Sequence, residues 1–153
     1  DLTVMRQVEG QAMTRDLTSQ LSEIHRCAEA VEELAPMVVE AYQNRLTERL
    51  NKLLAEHDIE LKPTDVVREV GIFAERVDIS EEIVRLRSHL DQFSNIMSRQ
   101  DGGGGRKLEF FVQELLRETN TIGSKANNAE IARLVVEAKT CIERIREMVQ
   151  NVE

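Results

Sequence analysis

The feature that most constrains the fold is a long apolar stripe in the first third of the chain. Between Leu17 and Leu53, apolar residues recur at intervals of three or four, which places their side chains on one face of a helix. The stripe is too long for an ordinary globular helix, so it predicts a helical arm that packs on another chain or on a domain missing from this sequence. Pro36 interrupts the stripe, and we expect a kink or a break there because proline removes a backbone donor. Residues 1–13 show no clear period and are predicted to be a poorly specified lead-in.

The rest of the chain carries further apolar stripes at helical spacing, separated by turn-forming residues. One stripe begins at Ile79 and ends at the glycine run of residues 102–105. The next occupies about residues 106–121, with a predicted stop at Gly123, and the last follows two asparagines at 127–128, either of which can cap a helix. A short link between two amphipathic helices favours a hairpin. The helix that begins near Ile79 and the helix of residues 106–121 are therefore predicted to pack antiparallel.

These patterns predict an all-α fold, in which a long amphipathic helical arm is followed by an antiparallel helical hairpin or bundle. No segment alternates with period two, so no sheet is expected. We divide the chain into an arm, residues 1–62, and a C-terminal bundle, residues 63–153.

Composition excludes several classes of protein. The chain has 28 acidic and 20 basic residues, and its net charge of −8 argues against nonspecific coating of nucleic acid, although a local basic site remains possible. Tryptophan is absent and there is one tyrosine, so base stacking is poorly supported. The sequence has no apolar run long enough for a bilayer, no signal peptide and no cysteine framework, so a cytoplasmic protein with no membrane association is expected.

The helix predicted at residues 106–121 has a polar face that carries both signs of charge. Glu114 and Glu118 lie one helical turn apart, a spacing that can hold a hard divalent cation, and Glu109 flanks the same face. Basic side chains that can meet a phosphate share this face, and they are Arg106, Arg117 and Lys125. From spacing alone, a solvated face with intrahelical ion pairs is the simpler interpretation.

The preceding helix carries a second polar line, made of Asp78, Glu82, Arg85 and His89 at intervals of four, three and four. This line borders the apolar stripe and is therefore predicted to lie at the rim of a helix–helix contact. His89 beside carboxylates is a candidate proton-transfer group. The alternative is a capping aspartate followed by ordinary rim charges.

Three stretches in the second half of the chain form a recognisable set of motifs. They are RVDISEEIVRLRSH from Arg76, GRKLEFFVQELLRETNTIGSK from Gly105, and the ending IREMVQNVE. Together, and in this order, they resemble the C-terminal region of the YicC/YloC-like family of bacterial endoribonucleases. The resemblance implies metal-dependent enzymes that act on RNA and assemble as hexamers, and some of these aid small-RNA decay with a partner exonuclease. It also implies a mixed α/β N-terminal half, which is absent from this sequence.

The resemblance and the polar faces together predict the C-terminal part of an endoribonuclease that cleaves RNA phosphodiester bonds with Mn or Mg. In this hypothesis Glu114 and Glu118, with Glu109, hold the metal ion, and His89 is a general acid or base. The phosphate contacts are assigned to Arg106, Arg117 and Lys125. The chain departs from the usual residues of the family at Glu109, Leu116 and Ala126. The alternative function, favoured by the long arm and the negative charge, is a non-catalytic oligomerisation or RNA-decay adaptor module.

Overall fold

The computed structural model describes residues 2–57, 62–99 and 104–152. Five helices make up these ranges: α1 (Leu2–His57), α2 (Pro63–Arg76), α3 (Ser80–Ser98), α4 (Gly104–Lys125) and α5 (Ala129–Val152). No strand occurs among the described residues, which confirms the predicted all-α fold.

Helices α3 and α4 form the predicted antiparallel hairpin. Ion pairs join Glu82 to Lys125 and His89 to Glu114, so rising residue numbers on α3 face falling numbers on α4. The apolar faces of both helices are buried between them and against the other helices, as expected for amphipathic segments joined by a short link.

One apolar core is shared by α1, α3, α4 and α5. Its most deeply buried side chains have no exposed surface, and they are Ile24, Leu90, Phe93, Leu115, Ile131, Ile142 and Ile145. Burial of a side chain of this size stabilises a fold by about 1.5–3 kcal/mol. Helix α2 packs on α1, where the rings of Tyr42 and Phe73 stack with centroids 3.8 Å apart. Within the described ranges, none of the helices combines the length and the hydropathy that a membrane crossing requires.

Helix α1 is longer and more continuous than the sequence predicted. It includes residues 2–13, for which the sequence predicts a poorly specified lead-in, and it passes through Pro36 without a break. Val31 and Val38 are buried on either side of the proline, which is itself exposed. The predicted break is wrong, because packing on both sides of Pro36 outweighs the backbone hydrogen bond that proline removes.

The apolar stripe of α1 is covered mainly from within the chain. Its buried residues lie between Leu17 and Val38 and pack with α3 and α5, so the expectation that the stripe packs on another chain or a missing domain is wrong for this part. Helices α3 and α5 cover this part of the stripe together, whereas each of them alone is shorter than the stripe. Farther along, Leu53 is 56% exposed. The division at residue 62 stays a prediction, although the middle of α1 shares its core with helices on the other side of that residue.

The ends of α4 and α5 show how tertiary packing modifies local signals. Helix α4 runs from Gly104 to Lys125, so Gly123 lies inside it and the predicted stop is wrong. Gly123 instead allows a close approach of α5, because a Cβ at this position would lie 3.1 Å from Val135 Cγ1. The cap at Asn128 is confirmed, since its Oδ1 accepts hydrogen bonds of 2.9 and 3.0 Å from backbone N–H groups in the first turn of α5. Residues 102 and 103 of the glycine run lie outside the described ranges.

Candidate active site

The antiparallel register of α3 and α4 sets the charged side chains of the two helices against each other. Along α3 the facing residues are Glu82, Arg85 and His89. Along α4 they are, in the reverse direction, Lys125, Glu118 and Glu114. The polar rims of the two helices thus meet in one row of alternating charges on one side of the hairpin.

Two carboxylates in this row are buried. Glu82 and Glu118 expose only 3% and 4% of their surface. Arg85 Nε donates a hydrogen bond of 3.1 Å to Glu118 Oε1, and Lys125 Nζ donates one of 2.8 Å to Glu82 Oε1. A buried carboxylate without a partner is very unfavourable, so these two cations compensate the charges that the hairpin encloses.

The contact with Lys125 determines the protonation of Glu82. Burial by itself would raise the pKa of the Glu82 carboxyl, but the hydrogen bond from Lys125 and the nearby positive charges hold this pKa below its ordinary value of 4.5. The same hydrogen bond raises the pKa of Lys125, and the hydrogen bond to Glu118 raises the pKa of Arg85. Glu82, Lys125 and Arg85 therefore all carry their charges at neutral pH.

His89, Glu114 and Glu118 form a compact donor group next to the buried pairs. Each residue offers one ligand atom, and these atoms all lie within 4.8 Å of one another. His89 Nε2 is 3.8 Å from Glu114 Oε2, and these two side chains are 17% and 22% exposed, so solvent reaches the group from one side. His89 Nδ1 is buried and has no hydrogen-bond partner among the described residues. One imidazole and two carboxylates are a common ligand set for divalent metal ions.

The other predicted site residues lie outside this donor group. Arg106 and Glu109 line a separate cavity of about 310 Å³ between the start of α4 and the end of α5. Arg117 is exposed on the outer face of α4. Lys125 belongs to the same row of charges, but its ammonium is bound to Glu82. The hairpin therefore brings together His89, Glu114 and Glu118, and it does not bring Glu109 to them.

Comparison with known proteins identifies the family of the chain. The family model described as "Endoribonuclease YicC-like, C-terminal" matches residues 31–153. The chain belongs to the YicC-like endoribonuclease family. A relative from Clostridioides difficile, named "Probable endoribonuclease YicC", is 40% identical over 152 residues, which are 99% of this chain and 51% of the relative. A relative of the same name from Haemophilus influenzae is 36% identical over 153 residues, covering 100% of this chain and 52% of the relative. This YicC-like chain thus spans about half the length of both relatives.

The sequence of this YicC-like chain did not reveal the structural roles of Glu82 and Arg85 in α3. The spacing of the polar line places Glu82 and Arg85 at a helix rim, but it does not show that Glu82 is buried or that Arg85 holds Glu118. Both facts depend on the register of the hairpin. Ala126 lies in the apolar core, and Leu116 packs against it.

Proposed function

We propose that the complete protein is an endoribonuclease that cleaves RNA phosphodiester bonds, with a divalent metal ion held by His89, Glu114 and Glu118. Both relatives carry the name of a probable endoribonuclease, and the activity is proposed for the complete protein because the chain covers about half of each. The observation that carries the metal proposal is the convergence of three donor atoms from two helices within 4.8 Å. Glu109 lies in a different cavity, so His89 takes its place as the third donor.

The residues of this donor group fit a divalent ion such as Mn²⁺ or Mg²⁺. Carboxylate oxygens suit both ions, and an imidazole nitrogen suits transition metals. Glu118 Oε1 accepts the hydrogen bond from Arg85, and Oε2 has no such partner among the described residues, so Oε2 is available as a ligand. The imidazole of His89 is not committed to another hydrogen bond through Nδ1.

The chain's own residues would orient the reacting groups. When bound, the ion supplies Lewis-acid stabilisation of the negative charge that develops on the phosphate. Arg85 holds Glu118 in place from the α3 side, and Glu82 is held in turn by Lys125. The exposed guanidinium of Arg117 can bind phosphate oxygens of the strand.

His89 has two alternative roles in this proposal. It can be the third ligand, or it can act as a general acid or base that moves a proton at the attacking or leaving oxygen. The ligand role is favoured because a nitrogen of His89 belongs to the same 4.8 Å group as the two carboxylates. A His89 variant that weakens metal binding supports the ligand role, and one that changes only the pH profile of cleavage supports proton transfer.

Assembly and location form a further part of the proposal. Apolar side chains are exposed near both ends of α1, with Val4, Met5 and Val8 at one end and Leu53 at the other, and contact with further copies would bury them. We therefore propose a homo-oligomer, a hexamer as the family resemblance implies, that works with an RNA-decay exonuclease. Both cysteines are free thiols, as expected for a protein in the reducing cytoplasm.

Cleavage of labelled RNA by the complete protein tests this function. The wild-type protein should cleave in the presence of Mn²⁺ and stop when EDTA is added. Glu114→Gln and Glu118→Gln should each lower the cleavage rate by about a hundredfold while helicity stays unchanged. Glu147→Gln removes an exposed carboxylate of α5 and is the matched control, which should cleave at the wild-type rate. Wild-type cleavage in both α4 variants would reject the proposed metal site, and no cleavage by any of the proteins would favour the adaptor module.

A further inference from the structure

We propose that the cavity between the start of α4 and the end of α5 is a nucleotide subsite, which holds one unit of a single-stranded RNA next to the metal-binding group. This inference rests on the proposed action on RNA, and it adds a surface that grips the strand away from the metal. The cavity measures about 310 Å³. The residues of its lining that the argument uses are Arg106, Glu109, Phe110, Gln113, Arg146 and Gln150.

Two guanidinium groups give the cavity a place for a phosphate. Arg106 comes from the first turn of α4, and Arg146 comes from α5, so the cavity is lined by one arginine from each helix. The side chain of Arg146 is 43% exposed, and its pair with Glu143 has an N···O distance of 3.5 Å. Such a surface pair is weak, and a phosphate can replace its carboxylate. Arginine forks match the oxygens of a phosphate in pairs, which a lone surface charge does not.

The remaining lining suits a base. Phe110 is a large aromatic side chain that is 57% exposed, although burial is the usual state of such a ring. Its ring meets Phe111 edge-on with centroids 5.3 Å apart, which supports it in one orientation. An exposed ring of this kind is a stacking surface for one base. The amides of Gln113 and Gln150 offer both donors and acceptors to a base edge, and the carboxylate of Glu109 accepts from an exocyclic amine or a ribose hydroxyl.

Phe111 connects this cavity with the donor group on the other side of α4. Its ring centroid lies 5.3 Å from that of Phe110 and 5.7 Å from that of His89. A strand whose base stacks on Phe110 can therefore continue over the outer face of α4 toward His89. The low aromatic content argued against a platform that stacks several bases, but stacking of one base requires only the exposed ring of Phe110.

The test is RNA affinity, measured without cleavage. Fluorescence anisotropy of a fluorescein-labelled oligouridine, titrated with the complete protein in EDTA, gives the affinity and its salt dependence. Arg146→Gln should weaken binding about tenfold and reduce the slope of log affinity against log salt by about 0.7, the value for one phosphate contact on a single strand. Phe110→Ala should also weaken binding about tenfold but leave the slope unchanged, because stacking releases no counterions. Phe110 is 57% exposed and the Arg146 side chain is 43% exposed, so the fold should tolerate either change.

Arg144→Gln is the matched control. Arg144 lies on the same helix and carries the same charge, but it is exposed away from the cavity, so its replacement should leave RNA affinity close to wild type. Equal affinity of wild type, Arg146→Gln and Phe110→Ala would overturn the subsite, as would an equal loss in Arg144→Gln. A loss confined to the two cavity variants supports the subsite even if no cleavage occurs with Mn²⁺, and that pairing would reject only the proposed activity. Normal cleavage with unchanged affinity in both variants would reject only the subsite.

Discussion

Replacement of Gly123 by alanine tests the close packing of α4 on α5, which holds the α4 carboxylates in position. In a helix interior, alanine is favoured over glycine by about 1 kcal/mol. Here, however, the new Cβ would lie 3.1 Å from Val135 Cγ1, inside the optimum carbon–carbon distance of about 3.5–4.0 Å. Val135 is only 9% exposed and cannot move into solvent. Overpacking of this kind costs about 1–3 kcal/mol, so we expect Gly123→Ala to lower the free energy of unfolding by about 1 kcal/mol.

Two matched variants separate the contact from helix propensity. Gly71 lies inside α2 and a Cβ there would meet nothing within 4 Å, so Gly71→Ala should raise the free energy of unfolding by about 1 kcal/mol. In a Val135→Ala background, Gly123→Ala should also become stabilising by about 1 kcal/mol, because the methyl group that it meets has been removed.

Urea unfolding followed by far-ultraviolet circular dichroism measures these differences, provided that the m-value stays constant. The sign of the Gly123→Ala effect should reverse between the wild-type and Val135→Ala backgrounds. If Gly123→Ala stabilises the wild-type protein as much as Gly71→Ala does, the close approach of α4 and α5 described above is incorrect.

Two further predictions concern ionisable groups. The pKa of Glu82 is lower in the folded than in the unfolded protein, so its contribution to stability is present above about pH 4.5 and is lost as the pH falls through the lower folded pKa. The free energy of unfolding should therefore fall in acid, and Glu82→Gln should show a shallower acid dependence; an identical dependence would contradict the assignment. Burial raises the pKa of the Cys27 thiol to about 11, so a thiol reagent at pH 8 should label the half-buried Cys141 first and Cys27 only on unfolding. Mass spectrometry that finds Cys27 labelled first would disprove this.

The fold could be predicted largely from sequence because helix amphipathicity is a local signal. The apolar stripes predicted the hairpin of α3 and α4, and the asparagines at 127–128 predicted the capped start of α5. Two of the errors fell at Pro36 and Gly123, where local propensity favours an interruption. In both places a neighbouring helix packs on the residues around the proline or the glycine. The spacing of apolar residues along one helix does not reveal this packing.

The candidate site could be predicted only in part. Helical spacing placed Glu114 and Glu118 one turn apart and put His89 on a rim of α3. It also assigned Glu109 to the same polar face of the helix. In the structure, Glu109 lies on the side of α4 that faces α5, whereas Glu118 lies on the side that faces α3. Which side of a helix meets which neighbour is set by tertiary packing, so the partner of each carboxylate could not be read from one helix alone.

Metal binding by the complete protein tests the central claim most directly. Isothermal titration calorimetry with Mn²⁺, in the absence of RNA, should show one ion bound per chain by the wild-type protein. Glu118→Gln and His89→Ala should each weaken this binding by at least about tenfold, since each removes one of three donors, and Glu147→Gln should bind as tightly as wild type. Equal Mn²⁺ affinity in all four proteins would contradict a metal site at His89, Glu114 and Glu118.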